Sequence, residues 1–244
     1  MSKQAGILFT AFEPSGDALA AAVVAQLKIR CPQVPIWAMG GSQVAQAGAQ
    51  MLESTTHQAS MFLDTFKHAL SHRARLKRLE LWLENHDIKA LVPTDSPAAN
   101  WSICKMVRRI KPQAKIVHLA APQLWAWAPW RIKKMRRLTD HLLCLLPFEP
   151  AWFEKRGVAG TFVGHPLFEQ SYDRSAQTVD RVDCIAILPG SRDSEIKKNW
   201  PTMIAAFKEL RKKHGNLVAH VAALDDRLAK MILQVGPDPL PPGV

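Results

Sequence analysis

Short apolar runs alternate with helical stretches along this chain, and that alternation constrains the fold more than any other feature. Residues 7–11, 34–39, 89–93, 115–119, 141–146 and 161–163 read as strands. Residues 18–29, 61–85, 100–111, 132–138 and 151–156 read as helices between or after them. Strands separated by helices cannot be joined by hairpins, so the expected fold is α/β with a parallel sheet. Residues 168–182 are polar and weakly patterned and read as a linker. A second strand–turn–helix series then begins, with strands at 184–188 and 217–223 and helices at about 200–214 and 226–235. Two strands and two helices make a small core. The expected organisation is therefore a Rossmann-like domain over 1–167, a linker over 168–182, a partial second Rossmann-like domain over 183–235, and a loose Pro-rich tail over 236–244.

Hydrophobic residues make up 48% of the 244, enough to bury a core, and the formal net charge is +11. That excess favours anionic partners: nucleic acid, acidic lipid or phosphorylated substrates. No nucleic-acid-binding motif accompanies it, so a nucleic-acid partner is not expected. Cys31, Cys104, Cys144 and Cys184 form no CxxC pair and sit in or beside apolar segments. They read as buried thiols of a reducing compartment rather than metal ligands. The start lacks a signal-peptide core, and no apolar run approaches the ~20 residues that cross a bilayer. The expected location is cytoplasmic, with any membrane contact made from the surface.

Three turns sit where strands meet helices, the edge at which open α/β sheets bind ligands. Glu13-Pro-Ser-Gly-Asp17 can be a ligand-facing turn, or a plain cap through Ser15 or Asp17. Asp95 follows a strand directly, where a carboxylate can act as a general base; local sequence alone favours a cap or a turn residue before Pro97. Pro189-Gly-Ser-Arg192 lets backbone amides of Gly190 and Ser191 approach an anion and adds a guanidinium, or is an ordinary strand–helix turn. There is no GxGxxG fingerprint and no P-loop lysine. His165 ends a strand run and is either structural or at a domain junction. From Ala121 to Arg137, Trp125, Trp127 and Trp130 lie among Arg131, Lys133, Lys134, Arg136 and Arg137. Such a run suits stacking on bases or anchoring at a bilayer interface. Phe62 and Phe66 beside Lys67, Arg73, Arg75, Lys77 and Arg78 suit an acidic membrane surface, or a helix with one buried and one solvated face.

In order along the chain stand Glu13, Ser15, Gly16 and Asp17; Gly40-Gly41 with Ala47-Gly48; Asp95-Ser-Pro97 with Asn100; and Pro122 with Trp125-Ala-Trp127. Leu146-Pro-Phe-Glu149, Phe162-Val-Gly-His165 and Leu188-Pro-Gly-Ser-Arg192 follow. Together these resemble the lipid-A-disaccharide synthase family. Phe12, Ala98, Ala99 and Ala121 depart from its pattern. The resemblance implies a GT-B fold of two Rossmann-like domains and an inverting transfer. The substrates would be UDP-2,3-diacylglucosamine and 2,3-diacylglucosamine 1-phosphate, and no cofactor or metal is implied. It makes Asp95 the base and Glu13 a second catalytic residue. Ser15, Gly16, Asp17, Asn100, Trp125, Trp127, His165, Gly190, Ser191 and Arg192 would line substrate sites. Phe62, Phe66, Trp130, Arg131, Lys133 and Lys134 would meet an acidic inner-membrane surface. Family members run well over a hundred residues further, so a separate chain supplying the rest of the donor half is a further expected partner. A non-catalytic relative that binds anionic lipid or nucleotide sugar is the competing expectation.

Overall fold

A computed structural model describes residues 5–55, 65–169, 183–237, 240, 242 and 243, without the side chains of 65–72 and 169. The chain divides into two compact units, Met1–Ser171 and Tyr172–Val244.

The first unit holds seven strands: β1 (Gly6–Ala11), β2 (Ile36–Gly40), β3 (Gln50–Ser54), β4 (Ile88–Thr94), β5 (Lys115–Leu119), β6 (His141–Cys144) and β7 (Gly160–Phe162). They form one sheet in the order β3-β2-β1-β4-β5-β6-β7, and every pairing is parallel. The helices are α1 (Pro14–Arg30), α2 (Ser42–Gln46), α3 (Thr65–Asn85), α4 (Pro97–Ile110), α5 (Leu124–Trp127), α6 (Ile132–Leu138) and α7 (Glu149–Glu154). Alternation along the strands sorts side chains onto two faces. Leu8 opposes Leu91 and packs with Leu79, Leu83, Ile103 and Val107 of α3 and α4. One residue on, Phe9 opposes Val92 and packs with Leu19, Ala20 and Val24 of α1. Apolar residues on both faces leave such strands one stable home, a sheet covered on both sides.

β3 and α2 were not expected. β3 is an edge strand with little apolar content, and α2 is a single five-residue turn after Gly41. Neither carries a periodic signal. β3 is tied down by charge instead: Glu53 pairs at 2.9 Å with both Arg75 and Arg78 of α3. Burial pushes the Glu53 carboxyl up, but the Arg78 and Arg75 hydrogen bonds outweigh it and hold the group below its ordinary range. Two cations that the sequence left open between a membrane-facing stripe and a solvated helix face thus serve the fold. Phe62 lies outside the described residues, as does the Phe66 side chain.

The second unit contains β8 (Cys184–Ile187) and β9 (Val218–Val221), a parallel pair, with α8 (Asp193–Lys213) and α9 (Asp226–Val235). Ile196, Trp200, Ile204 and Phe207 present one buried stripe of α8 to Leu228 and Ile232 of α9. α8 starts well before the expected residue 200. Pro201 resembles a helix-start signal, yet it sits inside the helix, which the buried stripe carries across it. The tail is docked rather than loose at its described residues. Leu240 packs on this core, Ala219 N–H donates to Gly243 C=O at 2.7 Å, and Arg211 donates to Pro242 C=O. Among the cysteines, Cys104 and Cys144 are buried, and burial pushes each thiol up to about 12. Cys31 is half-buried and Cys184 is exposed, contrary to the expectation of four buried thiols.

Candidate active site at the carboxyl edge of the sheet

The strand order reverses between β1 and β4. From β1 the chain winds outward to β2 and β3, then returns to β4 and winds the other way. The two following turns diverge there and leave a crevice at the carboxyl ends. Ala11 and Thr94 are register partners, so Glu13 and Asp95 emerge side by side. Ser96 Oγ donates to Glu13 Oε1 at 3.0 Å, linking the two turns. Gly16 packs beneath them; a Cβ there would lie 3.5 Å from the Asp95 Cβ and the Thr94 carbonyl.

Asp95 and Ser96 have φ of 49° and 32°, and Ala120, just after neighbouring β5, has φ of 58°. Left-handed backbone at non-glycine residues costs about 1–3 kcal/mol each and persists only where surroundings over-determine it. Here the surroundings are explicit. Buried Asn100 accepts from Thr10 Oγ1 at 2.6 Å. Its Nδ2 donates to the carbonyls of Thr94, Asp95 and Ser96 at 3.2, 3.0 and 3.3 Å. Asp95 N–H donates to Leu119 C=O at 3.0 Å. The turn is clamped from both sides, and the half-buried Asp95 carboxylate has no hydrogen bond or ion pair among the described residues. Ser96, not Asp95, occupies the cap position of α4, so the cap reading of Asp95 fails.

His118 on β5 lies under this edge, fully buried. Its Nδ1 sits 3.2 Å from the Leu119 carbonyl, and its Nε2 has no partner among the described residues. Burial holds its pKa down at about 4; the Leu119 carbonyl and the Asp95 charge push back only in part. Sequence reasoning missed His118, Thr10, Ser96 and Ala120. Only the Asp95-to-Asn100 spacing hinted at the clamp.

Several expected site residues are committed elsewhere. Asp17 does not cap α1; Glu13 is at that cap position, with no side-chain cap bond. The buried Asp17 carboxylate instead accepts from the N–H groups of Gly41, Gln43 and Val44 at 2.7, 3.0 and 3.4 Å, tying α1 to the start of α2. Asn100 spends its amide on the clamp. Trp125 donates Nε1 to Glu149 Oε1 at 3.1 Å and meets Phe148 edge-on at 4.9 Å. That joins the turns after β5 and β6. His165 follows β7, three strands from β4, and its Nδ1 accepts from Leu167 N–H at 3.1 Å. Ser15 is exposed at the α1 start. Trp127 and Trp130 are exposed, and the Arg131 guanidinium lies 4.8 Å from the Trp127 ring. Lys133 and Lys134 are exposed on α6.

In the second unit, Gly190 has φ of 138°, and a Cβ there would meet the Glu195 Cβ at 2.6 Å, so glycine is required. The loop's backbone amide and guanidinium face a carboxylate of their own chain. Ser191 N–H donates to Glu195 Oε2 at 3.0 Å, and Arg192 donates to Oε1 at 2.8 Å. Those two contacts hold the Glu195 carboxyl below its ordinary range.

A doubly wound parallel sheet with a switch-point carboxylate, followed by a second α/β unit, defines a GT-B-like protein. Solved structures of low identity share the fold. One is a UDP-GlcNAc 2-epimerase from Neisseria meningitidis, with TM-score 0.60 and 9% identity over 95% of this chain and 69% of that one. Another is the glycotransferase of kitacinnamycin, with TM-score 0.54 and 12% identity over 99% and 70%. Residues 7–238 match the family model for lipid-A-disaccharide synthetase, and the chain belongs to that family. The lipid-A-disaccharide synthase of Burkholderia cenocepacia is 35% identical over 225 residues, 87% of this chain and 57% of that protein. That of Rickettsia akari is 29% identical over 222 residues, 86% and 56%. The chain thus spans little more than half the length of the curated relatives it matches.

Proposed function

We propose that this chain carries the acceptor site of a lipid-A-disaccharide synthase, with Asp95 as general base. The observation that carries the reading is the clamped, left-handed Asp95 turn, which presents an unengaged carboxylate at the switch point. The acceptor would be 2,3-diacylglucosamine 1-phosphate and the donor its UDP-linked counterpart. The acceptor 6-hydroxyl oxygen attacks the anomeric carbon, its proton passes to Asp95, and the bond to the diphosphate breaks with inversion. UDP leaves carrying the bond's electron pair. Glu13, tied to Ser96, fixes the turn's position. Gly190, Ser191 and Arg192 receive the diphosphate once Glu195 gives up their contacts. Trp127, Trp130, Arg131, Lys133 and Lys134 form a mixed aromatic and cationic surface suited to an acidic inner-membrane face. No described helix is long and apolar enough to cross a membrane.

The test is a synthase assay with both lipid substrates, comparing the chain with its Asp95→Asn variant. Asparagine tolerates left-handed backbone, so the turn survives while the base is lost. The expected result is disaccharide and UDP from the unaltered chain and a fall of about a thousandfold in the variant. Equal rates in both would remove Asp95 from the chemistry. Product formed only after adding the carboxyl-terminal part of a curated relative would assign this chain the acceptor half of the enzyme.

A further inference from the structure

The Asp95 turn meets the next strand at the peptide between Leu119 and Ala120. Leu119 is the last residue of β5 and the register partner of Thr94. Its carbonyl accepts from Asp95 N–H at 3.0 Å, one residue beyond the end of β4. The same carbonyl lies 3.2 Å from His118 Nδ1. A carbonyl only accepts, so in this contact Nδ1 is the protonated nitrogen and Nε2 keeps its lone pair. Two donors therefore converge on one oxygen, one from the turn and one from a fully buried ring. His118 comes two residues after Ile116, which shares a buried cluster with Ile103, Cys104 and Val107 of α4. Alternation along β5 puts the ring on that same α4 face. From the first turn of that helix, Asn100 donates to the carbonyls of Thr94, Asp95 and Ser96.

That oxygen has to be held in place. Ala120 has φ of 58° without being glycine, and left-handed backbone at alanine is strained. Rotating the Leu119–Ala120 peptide by about half a turn would return Ala120 to ordinary extended backbone. It would also point the Leu119 carbonyl away from Asp95. The Asp95 N–H and the His118 Nδ1–H both oppose that rotation. The other ring nitrogen works against stability: Nε2 is buried with no partner among the described residues, and an unpaired buried acceptor destabilises a fold. An apolar side chain of similar size would avoid that penalty and lose only the Nδ1 donor. We propose that His118 is a positioning residue: its Nδ1–H fixes the Leu119 carbonyl, and through it the Asp95 amide and the carboxylate that the turn presents. The proposal rests on the reading of Asp95 as the base. It makes the end of β5 the second support of that base, with Asn100 of α4 as the first.

The test measures hydrogen exchange of the Asp95 amide, the synthase rate and the urea midpoint on one set of variants. His118→Asn keeps an amide N–H near the Nδ1 position. His118→Gln reaches toward Nε2 instead, and His118→Leu offers no donor. Leucine also removes the unpaired acceptor, so it should fold at least as stably as asparagine; if it does not fold, His118→Gln supplies the comparison. His118→Asn should keep Asp95 exchange slow and kcat close to that of the unaltered chain. His118→Leu and His118→Gln should speed Asp95 exchange about tenfold, roughly one hydrogen bond, with the Leu8 and Phe9 amides of β1 unchanged. They should lower kcat by about tenfold to a hundredfold at nearly constant KM. A merely structural role would make exchange and kcat follow the urea midpoint, with leucine ahead of asparagine. That order overturns the proposal, as does unchanged Asp95 exchange in both donor-less variants. Faster exchange with unchanged kcat, where Asp95→Asn is inactive, overturns it too. An Asp95→Asn variant that transfers normally removes the base reading instead, and exchange then decides by itself whether His118 holds the turn. Exchange decides in the same way for a chain that makes no disaccharide even with the carboxyl-terminal part of a curated relative added.

Discussion

The turn after β4 and the turn after β8 occupy equivalent places in their sheets, yet they are built in opposite ways. The first puts left-handed backbone on Asp95 and Ser96, clamps it with Asn100, and leaves its carboxylate unengaged. The second puts its left-handed residue on Gly190, where no side chain resists, and engages its amide and guanidinium with Glu195. A strained, rigid turn suits a group that must hold one position relative to a reacting atom. A relaxed turn whose contacts can be exchanged suits a site that must receive and release an anion. On the proposed function, positioning and capture fall to different turns, and measurements on either turn can break that division.

The largest expected effect comes from beneath the rigid turn. His118 stays neutral in the folded chain until about pH 4, against an ordinary value of 6.5. Between those values the unfolded chain binds the extra proton, so acid favours unfolding. Stability that is complete above 6.5 should decline on acidification, by about 2 kcal/mol at pH 5 from this group alone. Urea midpoints from pH 7.5 to 5 should fall less steeply for His118→Phe than for the unaltered chain. Parallel slopes would mean that the ring is solvated and the edge less tightly built than the geometry states.

A smaller effect isolates the strain. Ser96→Ala and Ser96→Gly both lose the hydrogen bond to Glu13, but only glycine relieves the left-handed backbone. The glycine variant should be about 1 kcal/mol more stable than the alanine variant, reversing the usual preference for alanine. Urea denaturation of the pair decides it. The ordinary order, with alanine ahead, would show an unstrained turn and erase the contrast with Gly190.

The sequence disclosed the architecture because apolar runs such as Ile7 to Ala11 can be buried on both sides only within a covered sheet. α6 and α9 fall where periodicity places them, at Ile132–Leu138 and Asp226–Val235. β3 escaped because its order comes from Glu53 meeting arginines more than twenty residues away, which no local pattern encodes. In the site, the position of Asp95 was legible from its place after a strand. Its rigidity was not, since that depends on Asn100 folding back and on Leu119 from the next strand. The resemblance made Asp17, Asn100 and Trp125 substrate-lining, and a motif match does not tell a side chain that faces a substrate from one that holds a neighbouring turn. Only the tertiary fold shows that Asp17 holds α2, Asn100 holds the Asp95 turn and Trp125 holds Glu149.

The smallest effect tests the exchangeable side of the comparison. If Glu195 occupies the place of an incoming diphosphate, its carboxylate competes with that ligand for the Ser191 amide and the Arg192 guanidinium. Removing it should then strengthen anion binding, because both donors become available and a like charge beside the phosphate is gone. Titration calorimetry with UDP should show Glu195→Ala binding several-fold more tightly than the unaltered chain, with Glu195→Gln between them, since the amide keeps one acceptor but loses the charge. Weaker binding in Glu195→Ala would give the carboxylate a different duty. It would then reach back from the first turn of α8 to hold the loop in shape, as acidic residues at that position of a helix do. In that case both turns would be rigid and preorganised, and they would differ only in whether strain or a side-chain brace keeps them so.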